Sequence, residues 1–130
     1  MKKHYPHVAK PLLRIALSLV FLYFGFSQII SPDNWAGFVP NFLNGSIFSA
    51  NNWVVFNGML EITLGIFLLI GIYVRFASLI LSVHLFFIAI SIGFSPLGIR
   101  DFGLALATLA VFFNGTDVFC IESSKKLKKK

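Results

Sequence analysis

The 130 residues are 57% hydrophobic and only 12% charged, with a formal net charge of +6 and one cysteine, Cys120. Soluble proteins carry about 25% charged residues, and a chain this short has too little interior to hide so much apolar surface from water, so its solvent must be lipid. A lone cysteine excludes an internal disulfide and paired-thiol chemistry, and basic residues placed at the ends of apolar runs, away from any aromatic-interleaved polar face, exclude nucleic acid as a partner.

A bilayer core of about 30 Å calls for roughly 20 helical residues. Four apolar runs of that length follow one another: Leu12 to Ile30, Trp53 to Tyr73, Phe76 to Phe94, and Leu97 to Val118. The expected fold is an all-α membrane protein, a four-transmembrane-helix bundle forming a single membrane domain over 1–130, with basic tails at 1–11 and 122–130. The first run is longer than a signal-peptide core and no small-x-small site follows it, so it is expected to stay. Between the first two spans, Ser31 to Asn52 is rich in Gly, Ser, Pro and Asn. Within it Trp35, Phe38 and Phe42 recur at helical spacing around Pro32 and Pro40, which predicts a short interfacial helix, with Trp35 and Trp53 as interfacial anchors. Val74 and Arg75 predict a tight turn, and Ser95-Pro96 marks the last break.

Ten of the eleven Lys and Arg residues fall on one side of this arrangement: Lys2, Lys3, Lys10, Arg14, Arg75, and the five lysines from Lys125 to Lys130. Only Arg100 falls on the other. The positive-inside rule then places both termini in the cytoplasm and the Ser31 to Asn52 loop outside, in a multi-pass protein of the plasma (inner) membrane.

Each span carries a stripe of small or polar residues at alternating three- and four-residue steps, which keeps them on one helix face. These are Arg14, Ser18, Phe21, Gly25 and Gln28; then Gly58, Glu61, Gly65 and Leu68; then Ala77, Leu81, His84, Ile88 and Ser91; and finally Asp101, Ala105, Thr108 and Phe112. Small residues let helices approach closely in lipid, so the stripes should face one another. A rise of 1.5 Å per residue puts Glu61 roughly 10–12 Å and His84 roughly 14 Å below the outer ends of their spans. A carboxylate at that depth must turn inward and be either protonated or paired. His84 is the first expected partner, with Gln28, Asn57 and Arg100 as alternatives.

The unbroken apolar stretch of the last span, Phe102 to Phe113, is too short to cross alone. Either Arg100 and Asp101 or the segment from Asn114 to Asp117 must therefore dip into the boundary. If the outer pair dips, Arg100 reaches down to Glu61 while Asp101 compensates its charge. The candidate ligand-binding set is Glu61, His84, Arg100, Gln28, Asn57 and Asp101. Arg14 is expected to snorkel to the headgroups and Cys120 to be an inert boundary thiol. Asn44-Gly45-Ser46 forms a sequon and Lys126 with Lys128 a dibasic pattern, both relevant only in a eukaryotic host. Lys125 to Lys130 reads first as a topological anchor and second as a site for anionic lipid. No HExxH, GxSxG, P-loop or GxGxxG pattern occurs, and His4 and His7 lie in a tail, so neither a bound metal nor a stand-alone enzyme is expected.

The first helix with Arg14 and Gly25, the loop Pro32-Asp33-Asn34-Trp35-Ala36-Gly37-Phe38-Val39-Pro40, and Glu61-x-x-x-Gly65 followed by Gly71 and Arg75 together resemble the DoxX family. The resemblance runs from about Arg14 to Asp117. It implies a four-helix membrane bundle and, through the related DoxD proteins, an association with quinone-linked sulfur oxidation as the membrane subunit of a thiosulfate oxidoreductase. Glu61 matches the family's acidic residue in the second helix, and Asp101 resembles the one that can precede the last. No catalytic set carries over.

The expected function is an accessory or anchoring subunit of a membrane redox or envelope-maintenance complex, with an outward pocket around Glu61 for a quinone headgroup or small polar ligand. Two other readings compete: an assembly or chaperone-like membrane protein, and a small-solute or lipid carrier that would lack inverted repeats and interrupted helices. The resemblance requires no cofactor and allows a quinone. The expected partners are the bilayer, membrane or periplasmic redox subunits, and a second copy in a homo-oligomer.

Overall fold

A computed structural model describes residues 5–43 and 49–122. His4, Lys2, Lys3, the Asn44 to Ser46 sequon and the lysines from Lys125 onward lie outside the described residues.

The described chain is all helical: α1 spans Tyr5–Ile30, α2 Ala50–Ile70, α3 Val74–Ile92 and α4 Pro96–Asn114. All four are long and apolar enough to cross a membrane. Their starts and stops follow local chemistry. Ser49 opens α2 by accepting from the Asn52 N–H, and Ser95 opens α4 by accepting from the Gly98 N–H at 3.1 Å, with Pro96 in the first turn where its missing N–H costs nothing. Gly71 ends α2 at φ 80°, a left-handed conformation that glycine adopts without strain. The turn expected at Val74 and Arg75 lies instead over residues 71–73, and those two residues begin α3.

The loop after α1 departs from expectation. In place of one interfacial helix there are two 3-10 turns, Pro32–Asn34 and Ala36–Phe38, with Trp35 at φ −108° and ψ −14° between them. Side-chain tethers fix this shape: Trp35 Nε1 donates to Ser27 Oγ at 3.1 Å, and Asn51 donates to Asp33 at 2.6 Å. Trp35 also meets Phe24 edge-on, with centroids 5.6 Å apart.

The helices run alternately up and down and pack most closely as two pairs, α1 with α2 and α3 with α4. In the first pair the backbones nearly touch, since a Cβ on Gly58 would lie 2.7 Å from the Gly25 carbonyl oxygen. In the second, Ser82 Oγ donates to the Ala105 carbonyl at 2.9 Å. Buried positions on α1 and α2 follow the expected stripes, and on α4 they do so through Asp101, Ala105 and Thr108 before passing to Val111 in place of Phe112, whereas on α3 they lie about one residue off: Ser78, Ser82, Leu85 and Ala89 join Ala77 and Leu81, while Ser91 is exposed. Ser91 satisfies its hydroxyl on its own helix, at the Phe87 carbonyl, so it needs no neighbour. The outward faces carry exposed Leu12, Leu19, Phe26, Phe76 and Ile90, a surface only lipid can solvate.

At the end of the bundle opposite the loop, Arg14 contradicts the snorkelling expectation. It is 1% exposed, and its guanidinium donates to both carboxylate oxygens of Asp117, at 2.7 and 3.2 Å, and to the carbonyls of Leu68 and Leu69 in the last turn of α2. Because α1 starts seven residues before the hydropathic span, Arg14 lies well inside the helix rather than at its mouth. Three elements converge on it: α1, the frayed carbonyl end of α2, and the chain after α4. Burial alone would raise the Asp117 carboxyl, but hydrogen bonds from Arg14 and the Phe119 N–H outweigh it and hold it below the ordinary carboxylate range. Cys120 packs against Gly71 beneath this clasp, and burial pushes its thiol up.

Candidate functional site

Toward the loop end the two helix pairs enclose a cavity of about 710 Å³. All six residues expected from sequence, Gln28, Asn57, Glu61, His84, Arg100 and Asp101, line it. Its remaining wall is mainly apolar and aromatic, with Phe21, Phe24, Trp35, Phe38 and Trp53 among the contributors. Such a wall with a few convergent polar groups is the general form of a small-molecule site.

The polar floor is built from three helices. Glu61, 3% exposed, points inward from α2 on the same face as Gly58 and Gly65. Its Oε2 accepts from Gln28 Nε2 of α1 at 3.1 Å, and its Oε1 accepts from Asn57 Nδ2, one turn earlier on α2, at 3.2 Å. The second Asn57 proton goes to Gln28 Oε1 at 2.6 Å, closing a triangle of carboxyl and two amides. The close Gly25–Gly58 crossing is what brings Gln28 within reach of Glu61.

The other two expected partners differ from the reading above. His84 approaches from α3 with Nε2 3.8 Å from Glu61 Oε1, too far for a hydrogen bond, and that nitrogen is buried with no hydrogen-bond partner among the described residues. Gln28 and Asn57, expected only as alternatives, hold the carboxyl instead. Arg100 does not reach Glu61. Its guanidinium donates to Asp101 Oδ1 at 3.0 and 3.1 Å and lies over the Phe24 ring, 5.1 Å from the centroid, which keeps it at the upper wall. Asp101, which the sequence placed beside Arg100, is buried there as its counter-charge.

Sequence reasoning missed the aromatic contribution of Phe24. Its position one turn before Gln28 on α1 was the available signal.

A family model described as DoxX matches residues 9–93. The chain belongs to the DoxX family. The matched segment contains Gln28, Asn57, Glu61 and His84, while Arg100, Asp101 and all of α4 fall beyond it. No curated protein and no solved structure gives a significant match. This DoxX protein is thus a multi-pass membrane protein with four spans, consistent with the bundle just described.

Proposed function

We propose that this DoxX protein is a ligand-binding accessory subunit of a membrane redox or envelope-maintenance complex, and that the cavity around Glu61 receives the polar head of an amphiphile, with quinone as the class the family association favours. The observation that carries this reading is His84 Nε2, left without a hydrogen-bond partner among the described residues beside a carboxyl that two amides already hold in place. A cluster that only fastened helices would use up its own donors. A buried polar atom with no partner costs about 1–3 kcal/mol, which a bound head group would recover.

The same reading places the protein in the plasma (inner) membrane. Lys10 and Arg75 share one end of the helices' up-and-down path and Arg100 stands at the other, so on this reading both termini face the cytoplasm and the cavity faces the outer leaflet.

Glu61→Gln tests the proposal. Quinone binding and quinone-linked electron transfer are followed in membranes holding normal amounts of the variant. The carboxylate's charged hydrogen bonds, worth about 1.5–3 kcal/mol, set an expected weakening of roughly 10- to 100-fold. Undiminished binding and transfer reject the pocket and leave a membrane assembly protein.

A further inference from the structure

Two aromatic side chains that reach the outer surface of the bundle also line the cavity. Phe56 on α2 and Phe87 on α3 both line it, yet they are 55% and 68% exposed on the lipid-facing surface. Although α2 and α3 are consecutive, they touch much less than either does its closest partner. The seam between α2 and α3 is thus the place where a ligand tail would lie if its head entered sideways from the bilayer.

The floor prescribes the head. Both Glu61 oxygens accept hydrogen bonds from the neighbouring amides, which hold the carboxyl in place. His84 Nε2 faces Glu61 Oε1 3.8 Å away, a pair in which one proton, on either atom, sets a donor against a lone pair. A ligand atom seated between the two must then donate to one and accept from the other. One hydroxyl oxygen, about 2.7–3.0 Å from each, does both. A carbonyl or ether oxygen accepts from one of the pair but leaves the other unanswered.

We infer that the cavity takes a hydroxyl-headed amphiphile of the phenol or hydroquinone type, entering laterally between Phe56 and Phe87, with its hydroxyl bridging Glu61 Oε1 and His84 Nε2. This rests on the ligand-binding reading above and adds the hydrogen-bonding form of the head and the route of entry.

The two tryptophans, Trp35 and Trp53, both line the cavity, so their fluorescence reports occupancy. The full chain in phosphatidylcholine nanodiscs is titrated with a ring-brominated 4-alkylphenol, with its O-methyl ether, and with a phosphatidylcholine whose acyl chain ends in the same phenol and which is too large to be enclosed whole. Leaving a buried acceptor unmet costs about 1–3 kcal/mol, so the phenol should quench saturably at a concentration roughly 10- to 100-fold below the ether. His84→Leu should shrink that ratio, and His84→Gln, which restores a donor, should recover part of it. The phospholipid-tethered phenol should quench saturably too. Equal quenching by phenol and ether overturns the hydroxyl bridge while the pocket stands. Quenching by the free phenol but not by the tethered one overturns the lateral route. Absence of saturable quenching by phenol and ether, and by a ring-brominated quinone titrated in the same way, overturns the pocket itself.

Discussion

Truncating Arg14 to alanine should be among the most damaging single changes outside the cavity. The substitution removes four hydrogen bonds at once: two to Asp117, whose side chain is 4% exposed, and two to the carbonyls of Leu68 and Leu69. Removing one member of a buried ion pair costs about 3–5 kcal/mol because the partner is left charged and unpaired. The two stranded carbonyls at the end of α2 push the loss toward the upper part of that range. Asp117→Asn keeps the shape and leaves Arg14 its carbonyl partners, so it should cost only about 1–3 kcal/mol. The double variant Arg14→Met with Asp117→Leu removes both charges and should recover most of the single-variant loss, a sign that the penalty is electrostatic. Reversible unfolding in mixed micelles, followed by circular dichroism, measures all three. A loss below about 1 kcal/mol for Arg14→Ala, the size expected of an exposed pair, would refute the buried clasp.

Other consequences of the same geometry can be measured alongside. Gly71→Ala forces a side chain into φ 80° and sets its Cβ 2.5 Å from Cys120 Cα, so unfolding in micelles should show a loss of about 1–3 kcal/mol. Gly58→Ala meets the backbone oxygen of Gly25 at 2.7 Å, which no side-chain rotation relieves; α1 and α2 must part, and the loss of about 1–3 kcal/mol should come with weakened ligand binding as Gln28 leaves Glu61. The Asp117 carboxyl titrates lower when folded than when unfolded, so its stabilising contribution is complete above the unfolded value of about 3.9 and is lost as pH falls through the lowered one. Unfolding curves should accordingly show this contribution unchanged from neutrality down to about pH 5, with Asp117→Asn removing the acid-side decline attributable to it. Cys120, buried and with its thiol pushed up, should react slowly with a maleimide in the folded protein and much faster in Arg14→Ala.

The four helices were legible because hydropathy over 20-residue windows depends on little besides composition, and the breaks carry Gly, Ser and Pro. Glu61 was legible as well, since a carboxylate deep in an apolar run has to turn inward. Its partners were harder. His84, Gln28 and Asn57 lie near the depth of Glu61 and Arg100 above it, and choosing among them needs the rotation of each helix about its axis, which sequence leaves open to about one residue. On α3 that uncertainty decided the outcome: burial follows Ser78 and Ser82, and His84 sits just off the buried face with Nε2 short of contact. Arg14 was misread for a different reason. Its counter-ion, Asp117, lies 103 residues away in a stretch that resembles a polar tail, and no local pattern pairs them. The loop's two short turns were hidden because the aromatic spacing fits a helix, while the tethers to Ser27 and Asn51 that break it are tertiary.

The central claim is that the Glu61 floor belongs to a binding site rather than to a fastening. Photolabelling of the full-length protein in membranes with an azido-substituted quinone, followed by mass-spectrometric mapping of the adducts, puts that to the test. The account predicts labels confined to the cavity-facing stretches around Trp53 to Glu61 and His84 to Ile92, competed by unmodified quinone and strongly reduced in Glu61→Gln. Labels scattered over outward faces such as Leu12, Leu19 and Phe76, with no competition and no response to the substitution, would contradict it.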